Sequence, residues 1–166
     1  MIVRDAVLGD VAAITALYNA LIPSTTTAWT ETPDSEAERL EWFERQRSDG
    51  FPVLVAEVEG QFAGFTAYEH FRGAGKWPGY RFTVEHSVHV TETYWGAGVG
   101  RALIERLIDR ARAAGMHVMV AAIDGANTGS IDFHRRLGFV EVARMPETGT
   151  KFGRWLDLVL MQRVLE

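Results

Sequence analysis

Three stretches of the chain combine residue types that can do chemistry. Residues 95–100 read Trp95-Gly96-Ala97-Gly98-Val99-Gly100 and lie between a strand-like run and a helix-like run that continues from Arg101. Glycines let a backbone turn tightly and approach a ligand closely. The first N–H groups of the following helix point outward, with the positive end of the helix dipole behind them. Such a turn suits a phosphate or pyrophosphate, although glycine-rich turns without a ligand are also common. The second stretch is the run Arg81 to Val90. On it Thr83, Glu85, Ser87 and His89 share one face, and Val84, His86, Val88 and Val90 share the other. The third is Asn127 to Phe139, which carries Asn127, Ser130 and His134.

A strand in the middle of a covered sheet is apolar on both faces. The polar row of the second stretch therefore implies either an edge strand or a face open to a wet cavity. In the cavity reading, Glu85 is a candidate general base. A carboxylate in a partly apolar cleft can take the proton of an ammonium, and burial raises its proton affinity toward the working range. A salt-bridged strand glutamate is the plainer alternative. His86 and His89 are three apart on a strand and point to opposite faces, so they do not read as a metal pair, and no metal is expected. No serine lies in a G-x-S-x-G elbow, which argues against a serine hydrolase. A capped short helix explains Ser130, Leu137, Gly138 and Phe139, but it leaves Asn127 and His134 unexplained.

These residues need a scaffold. Ile2 to Ala6 reads as a strand, and Asp10 opens a helix with Val11, Ile14, Leu17, Tyr18 and Leu21 at helical spacing. Ser24 to Thr32 is a polar loop. Ser35 caps a second helix through Gln46. Pro52 to Val58 and Gln61 to Tyr68 form a hairpin about Glu59-Gly60. After the loop Phe71 to Tyr80 and the strand Arg81 to Val90 comes an amphipathic helix, Gly98 to Ala114, with Leu103, Ile104, Leu107, Ile108 and Ala111 inward. Val118 to Ile123 is a strand buried on both faces, Asn127 to Leu137 a short helix, and Phe139 to Met145 and Trp155 to Arg163 are closing strands. The order β-α-α-β-β-β-α-β-α-β-β needs one parallel crossover and at least one antiparallel hairpin. The expectation is an α/β (α+β) chain: a mixed, mostly antiparallel sheet flanked by helices on both faces.

Composition narrows the classes. The 166 residues read as a single domain, 1–166, with a net charge of −5 and no basic run, so no nucleic-acid partner is expected. No apolar run reaches membrane-spanning length and Met1 to Asp5 lacks a signal-peptide core, so no membrane partner is expected, and the absence of cysteine fits a cytoplasmic location. The absence of cysteine removes disulfides, thiolate metal sites and cysteine nucleophiles.

Among phosphate cradles, the kinase-type loop needs Gly-Lys-Ser/Thr, but Arg101-Ala102 follow Gly100. The dinucleotide fingerprint needs G-x-G-x-x-G early in a βαβ unit, but here the glycines run G-x-G-x-G in the second half of the chain. The loop instead resembles the acetyl-CoA pyrophosphate loop of the GNAT acetyltransferases, Gln/Arg-x-x-Gly-x-Gly/Ala, with Trp95 standing where Gln or Arg is usual. From Arg4 to Gln162 the chain resembles the phosphinothricin / methionine sulfoximine N-acetyltransferase family. The likeness rests on Tyr18-Asn19, Pro52 to Ala56, Thr83-Val84-Glu85-His86-Ser87-Val88, Ser130-Ile131, His134 and Lys151-Phe152-Gly153-Arg154-Trp155-Leu156-Asp157.

The resemblance implies a GNAT fold, acetyl-CoA as co-substrate and a homodimer. It also implies acetylation of the α-amine of a small amino acid such as methionine sulfoximine, methionine sulfone or phosphinothricin. Glu85 would be the base, and His134, standing where Tyr is usual, would protonate the leaving thiolate. Acetyl-CoA would lie along Val88, His89 and Val90 and on Trp95, Gly96, Ala97, Gly98, Val99, Gly100 and Arg101, with Asn127 and Ser130 beside its arm. The loop Arg72 to Arg81, longer than is usual in the family, would hold the acceptor through Arg72, Lys76, Trp77, Tyr80 and Arg81, together with Glu85 and Lys151. Each of these loop residues reads equally well as surface. Two rivals remain. Acetylation of a protein or peptide amine is disfavoured by the occupied acceptor loop. A non-catalytic acyl-CoA-binding module is disfavoured by the presence of both Glu85 and His134.

Overall fold

The structure, a computed structural model, describes residues 1–73 and 75–166. Ala74, in the loop assigned to the acceptor, lies outside the described residues. The chain runs β1 (Ile2–Asp5), α1 (Val11–Leu21), α2 (Glu36–Ser48), β2 (Val53–Val58), β3 (Gln61–His70), β4 (Thr83–Val90), α3 (Val99–Ala113), β5 (Val118–Asp124), α4 (Thr128–Arg136), β6 (Val140–Lys151) and β7 (Arg154–Val164). The order of elements is the one the periodicities predict.

Local chemistry sets the boundaries. Ser35 accepts from the Glu38 amide at 3.2 Å, and the Glu38 carboxylate accepts from the Ser35 amide at 2.8 Å, a reciprocal cap that fixes the start of α2. Glu59 and Gly60 turn the β2–β3 hairpin with φ of 52° and 75°, the left-handed pair that matches strand twist. The inward positions of α3 are the predicted ones: Leu103, Ile104, Leu107, Ile108 and Ala111 are all buried.

The seven strands form one sheet in the order β1-β2-β3-β4-β5-β7-β6. Every neighbouring pair is antiparallel except β4 with β5. One face carries α3 and α4 over a core that includes Leu54, Val84, Met119 and Phe139. The other carries α1 and α2 over Val53, Val55, Phe65 and Ala67. The predicted mixed sheet with helices on both faces is therefore observed.

The site arises from an irregularity in this sheet. β4 pairs with β3 along its whole length, from His70↔Val84 to Gly64↔Val90, with no register shift. Its pairing with β5 covers only Thr83↔Val118, Val84↔Met119 and Glu85↔Val120. Beyond Glu85 the two parallel strands diverge and leave a wedge in the sheet. The β3–β4 register carries no bulge, so the alternation of β4 is unbroken and the opening comes from the splay.

β6 runs six residues past the predicted end at Met145, to Lys151. The added stretch contains Pro146 and Gly149, both poor strand residues. β6 is the edge of the sheet, where a missing donor costs nothing, and its pairing skips register between Met145 and Gly149.

Candidate active site

A cleft of about 1050 Å³ fills the wedge between β4 and β5 and continues to the start of α3. Gly98 is the N-cap of α3 with φ of 83°, a conformation that only glycine adopts without strain, and no side chain caps this helix. The first helical bond runs from the Ala102 amide to the Gly98 carbonyl at 3.0 Å. The amides of Val99, Gly100 and Arg101 therefore have no acceptor within the helix. Gly98, Val99, Gly100 and Arg101 all line the cleft. An uncapped helix end with three outward amides, at one end of a long cleft, fits a pyrophosphate. Trp95 is 58% exposed and donates its indole N–H to the Val90 carbonyl at 2.8 Å, anchoring the loop to the end of β4.

A second cavity, about 320 Å³, adjoins the first and shares Thr26, Thr27, Val88, His89, Asp124, Asn127 and Ser130 with it. Glu85 and His134 both line this smaller cavity. Burial, reinforced by Glu69, pushes the Glu85 carboxyl above its ordinary value. Asn127 caps α4 by accepting from the Ser130 amide at 3.0 Å. His134 is buried, and its Nδ1 lies 2.7 Å from the Ser130 carbonyl, so Nδ1 carries the proton and donates. Burial holds the ring below the ordinary histidine value, and its buried Nε2 has no protein partner. In this tautomer Nε2 is an acceptor. Donation to a thiolate therefore requires that His134 first take up a proton.

The other two histidines follow the alternation of β4. His86 packs against His134 with ring centroids 5.1 Å apart and against Phe139 at 5.5 Å. His89 faces the opposite core, 4.9 Å from Phe65 and 5.6 Å from Tyr18. Burial holds both rings neutral, with His86 pushed down to about 3 and His89 to about 4. Among the described residues no group of three side chains is arranged to hold a metal ion.

The roof of the smaller cavity is the loop after α1. Thr26 donates to Asp124 Oδ2 at 2.5 Å, and Trp29 lies so close to Gly149 that a β-carbon there would sit 2.1 Å from the indole. Lys151 is 2% exposed and donates to the carbonyls of Thr25 and Ala28, each at 2.7 Å, with the Phe152 ring 4.8 Å away. Its ammonium is spent on the backbone of this loop.

The predicted cofactor residues Val88, His89, Val90, Trp95, Gly96, Gly98, Val99, Gly100, Arg101, Asn127 and Ser130 all line the large cleft, while Ala97 does not. Of the predicted acceptor residues, Glu85 lines the small cavity. Arg72, Lys76, Trp77, Tyr80 and Arg81 sit on the loop between His70 and Thr83 and line neither cavity. They engage one another instead: the Arg72 guanidinium lies 5.5 Å from the Tyr80 ring, the Lys76 ammonium 5.5 Å from Trp77, and Arg81 donates to the Pro78 carbonyl at 2.9 Å. Sequence reasoning missed Thr26, Thr27, Trp29 and Asp124, which wall the smaller cavity, and Phe133, which lines the larger. The Thr run 25–27 was visible as a polar loop, but nothing local showed that it folds back over the sheet.

Comparison with known proteins defines the class. Residues 14–139 match the acetyltransferase (GNAT) family model, and the chain belongs to that family. It is an acetyl-CoA-dependent N-acetyltransferase. The chain is 47% identical to an L-methionine sulfoximine/L-methionine sulfone acetyltransferase of Pseudomonas paraeruginosa, over 99% of this chain and 94% of the relative. A phosphinothricin acetyltransferase of Sinorhizobium meliloti, solved in complex with acetyl-CoA, superposes with a TM-score of 0.93 at 39% identity, covering 99% of this chain and 88% of the other. A ribosomal-protein-alanine N-acetyltransferase of Brucella melitensis superposes with a TM-score of 0.95 at 42% identity, covering 99% and 100%.

Proposed function

We propose that residues 1–166 act as one N-acetyltransferase domain that acetylates the α-amine of a small amino acid such as methionine sulfoximine, methionine sulfone or phosphinothricin. The observation that carries this reading is the meeting of Glu85 and His134 on one cavity that opens into the cleft ending at the α3 amides. Acetyl-CoA supplies the thioester carbonyl. The α3 amides and the backbone of Gly98 to Arg101 hold the pyrophosphate, and Asn127 and Ser130 flank the arm.

The acceptor amine arrives protonated, and Glu85 takes its proton directly or through water. The neutral amine then attacks the carbonyl with no covalent enzyme intermediate. The backbone N–H groups of Val88 and Val90, which alternate away from β3 toward the side where β5 diverges, stabilise the charge building on the oxygen. As the intermediate collapses, the proton shed by the attacking nitrogen is taken up at His134 Nε2 and passed to the departing thiolate, leaving the amide and the CoA thiol.

The small cavity's volume and its roof of Thr26, Thr27 and Trp29 favour a small acceptor over a peptide. The loop beyond β3 carries Arg72, Lys76 and Arg81 and no acid between Phe71 and Phe82, but it lies outside both cavities and does not discriminate between acceptors. A protein N-terminus is the second reading, because a relative of 42% identity is a ribosomal-protein-alanine acetyltransferase. Turnover assays releasing CoA thiol, run with the three amino acids and with an N-terminal peptide, separate the two. Acetylation of the peptide alone would overturn the first.

We further infer a cytoplasmic homodimer. No helix among the described residues is long and apolar enough to cross a membrane. Val140, Val142, Met145 and Trp155 are exposed on the β6–β7 edge, the kind of apolar edge that a second copy covers. Sedimentation of the wild type and of Trp155→Glu tests this; a monomeric wild type would contradict it.

A further inference from the structure

Glu69 on β3 is directly opposite Glu85 on β4 in the antiparallel register. Side chains of such pairs leave the sheet on the same face with β-carbons roughly 5 Å apart. Like charges placed this way repel, so a sheet without a use for the pair would lose stability by keeping it. The two carboxylates open on a pocket of about 180 Å³, distinct from the cavity shared by Glu85 and His134, which is also lined by Trp42, His70 and His86. This volume is enough for several waters. Glu69 is exposed and, among the described residues, has no ion-pair or hydrogen-bond partner, so no cation neutralises it. Glu85 is half-buried and faces both spaces.

We propose that Glu69 is a positioning residue of the reaction: with Glu85 it forms a carboxylate pair that holds one proton after the acceptor amine is deprotonated, and it passes that proton to the solvent-filled pocket on the side away from acetyl-CoA. The proposal rests on the reading of Glu85 as the base. The N–H bond of the ammonium breaks as an O–H bond forms on Glu85, and the pair then returns to its doubly ionised state by releasing the proton to water. No other reactant is needed.

The surroundings single out Glu69. The titratable groups that share a cavity with Glu85 are Tyr68, Glu69 and His70 on β3, His86 and His89 on β4, Asp124 on β5 and His134 on α4. Across the pocket α2 contributes Trp42. Asp124 already accepts from Thr26 and from the Ala126 amide. His86, His89 and His134 are held neutral by burial. Glu69 is also the charged neighbour that raises the proton affinity of Glu85.

The test is the pH profile of kcat/KM for the amino-acid acceptor in wild type, Glu69→Gln, Glu69→Asp and Glu85→Gln. The acceptor's own ionisation contributes equally to every profile, so differences between proteins report the enzyme. Removing the like charge lowers the proton affinity of Glu85. The acid limb of Glu69→Gln therefore moves to lower pH by about half to one unit, and Glu69→Asp restores most of the wild-type position. A Glu69→Gln profile that superimposes on the wild type overturns the proposal, as does a uniform loss at every pH without a shift. Full activity in Glu85→Gln marks a different failure, that of the base assignment itself.

Discussion

Lys151 donates to the carbonyl of Thr25 at 2.7 Å across 126 positions of sequence, and so ties the edge strand β6 to the loop that roofs the smaller cavity. A second bond to Ala28 completes the tie. Burial pushes the Lys151 ammonium below its ordinary value. Hydrogen bonds from a charged group contribute about 1.5–3 kcal/mol each.

Lys151→Met keeps the length of the side chain but removes both bonds. The expected outcome is a thermal midpoint lowered by several degrees and a reduced kcat/KM for the acceptor, because Thr26, Thr27 and Trp29 lose their fixed position. Thermal unfolding and steady-state kinetics check this. An unchanged midpoint with a loss confined to acceptor KM would instead make Lys151 a direct substrate contact.

Gly100 is the second residue of α3, and a β-carbon there would sit 3.4 Å from the Phe133 ring and 3.5 Å from Val90 Cγ2. Gly100→Val fills the floor of the large cleft where the outward amides lie. Acetyl-CoA affinity falls at least tenfold while the fold survives, measured by calorimetry beside circular dichroism. Unchanged affinity would remove the pyrophosphate from this helix end.

Stability should fall on acidification. The folded-state values of His86 and His89 lie below the ordinary histidine value, near 3 and 4. Between about pH 6.5 and 4 the unfolded chain binds protons that the folded chain does not, so stability is present above that window and is lost as pH falls through it. Each ring accounts for a loss on the order of 1–2 kcal/mol by pH 5. Thermal midpoints at pH 7.5 and pH 5 check this; equal midpoints would show that the rings become charged within the fold.

Much of this arrangement was legible in the sequence because it depends on short-range patterns. The glycine spacing of 96–100 marks the uncapped α3, and the period-two polar row of β4 marks a wet face. What the sequence could not show depends on register and on distant contacts. Glu69 and Glu85 are sixteen positions apart, and only the β3–β4 register sets them opposite each other. Trp29 reaches Gly149 only after the loop beyond α1 folds over the edge strand. Lys151 read as a substrate contact, because nothing near it in sequence shows the carbonyls of Thr25 and Ala28.

In the proposed reaction the carboxylate of Glu85 deprotonates the acceptor at the mouth of the β4–β5 wedge. Glu85→Gln preserves the shape of the side chain and removes the proton acceptor, so the direct measurement is CoA release at neutral pH beside acetyl-CoA binding. Turnover is expected to fall by roughly 10²–10⁴ with acetyl-CoA affinity near wild type. Turnover within about twofold of wild type would contradict it and would mean that the amine loses its proton elsewhere.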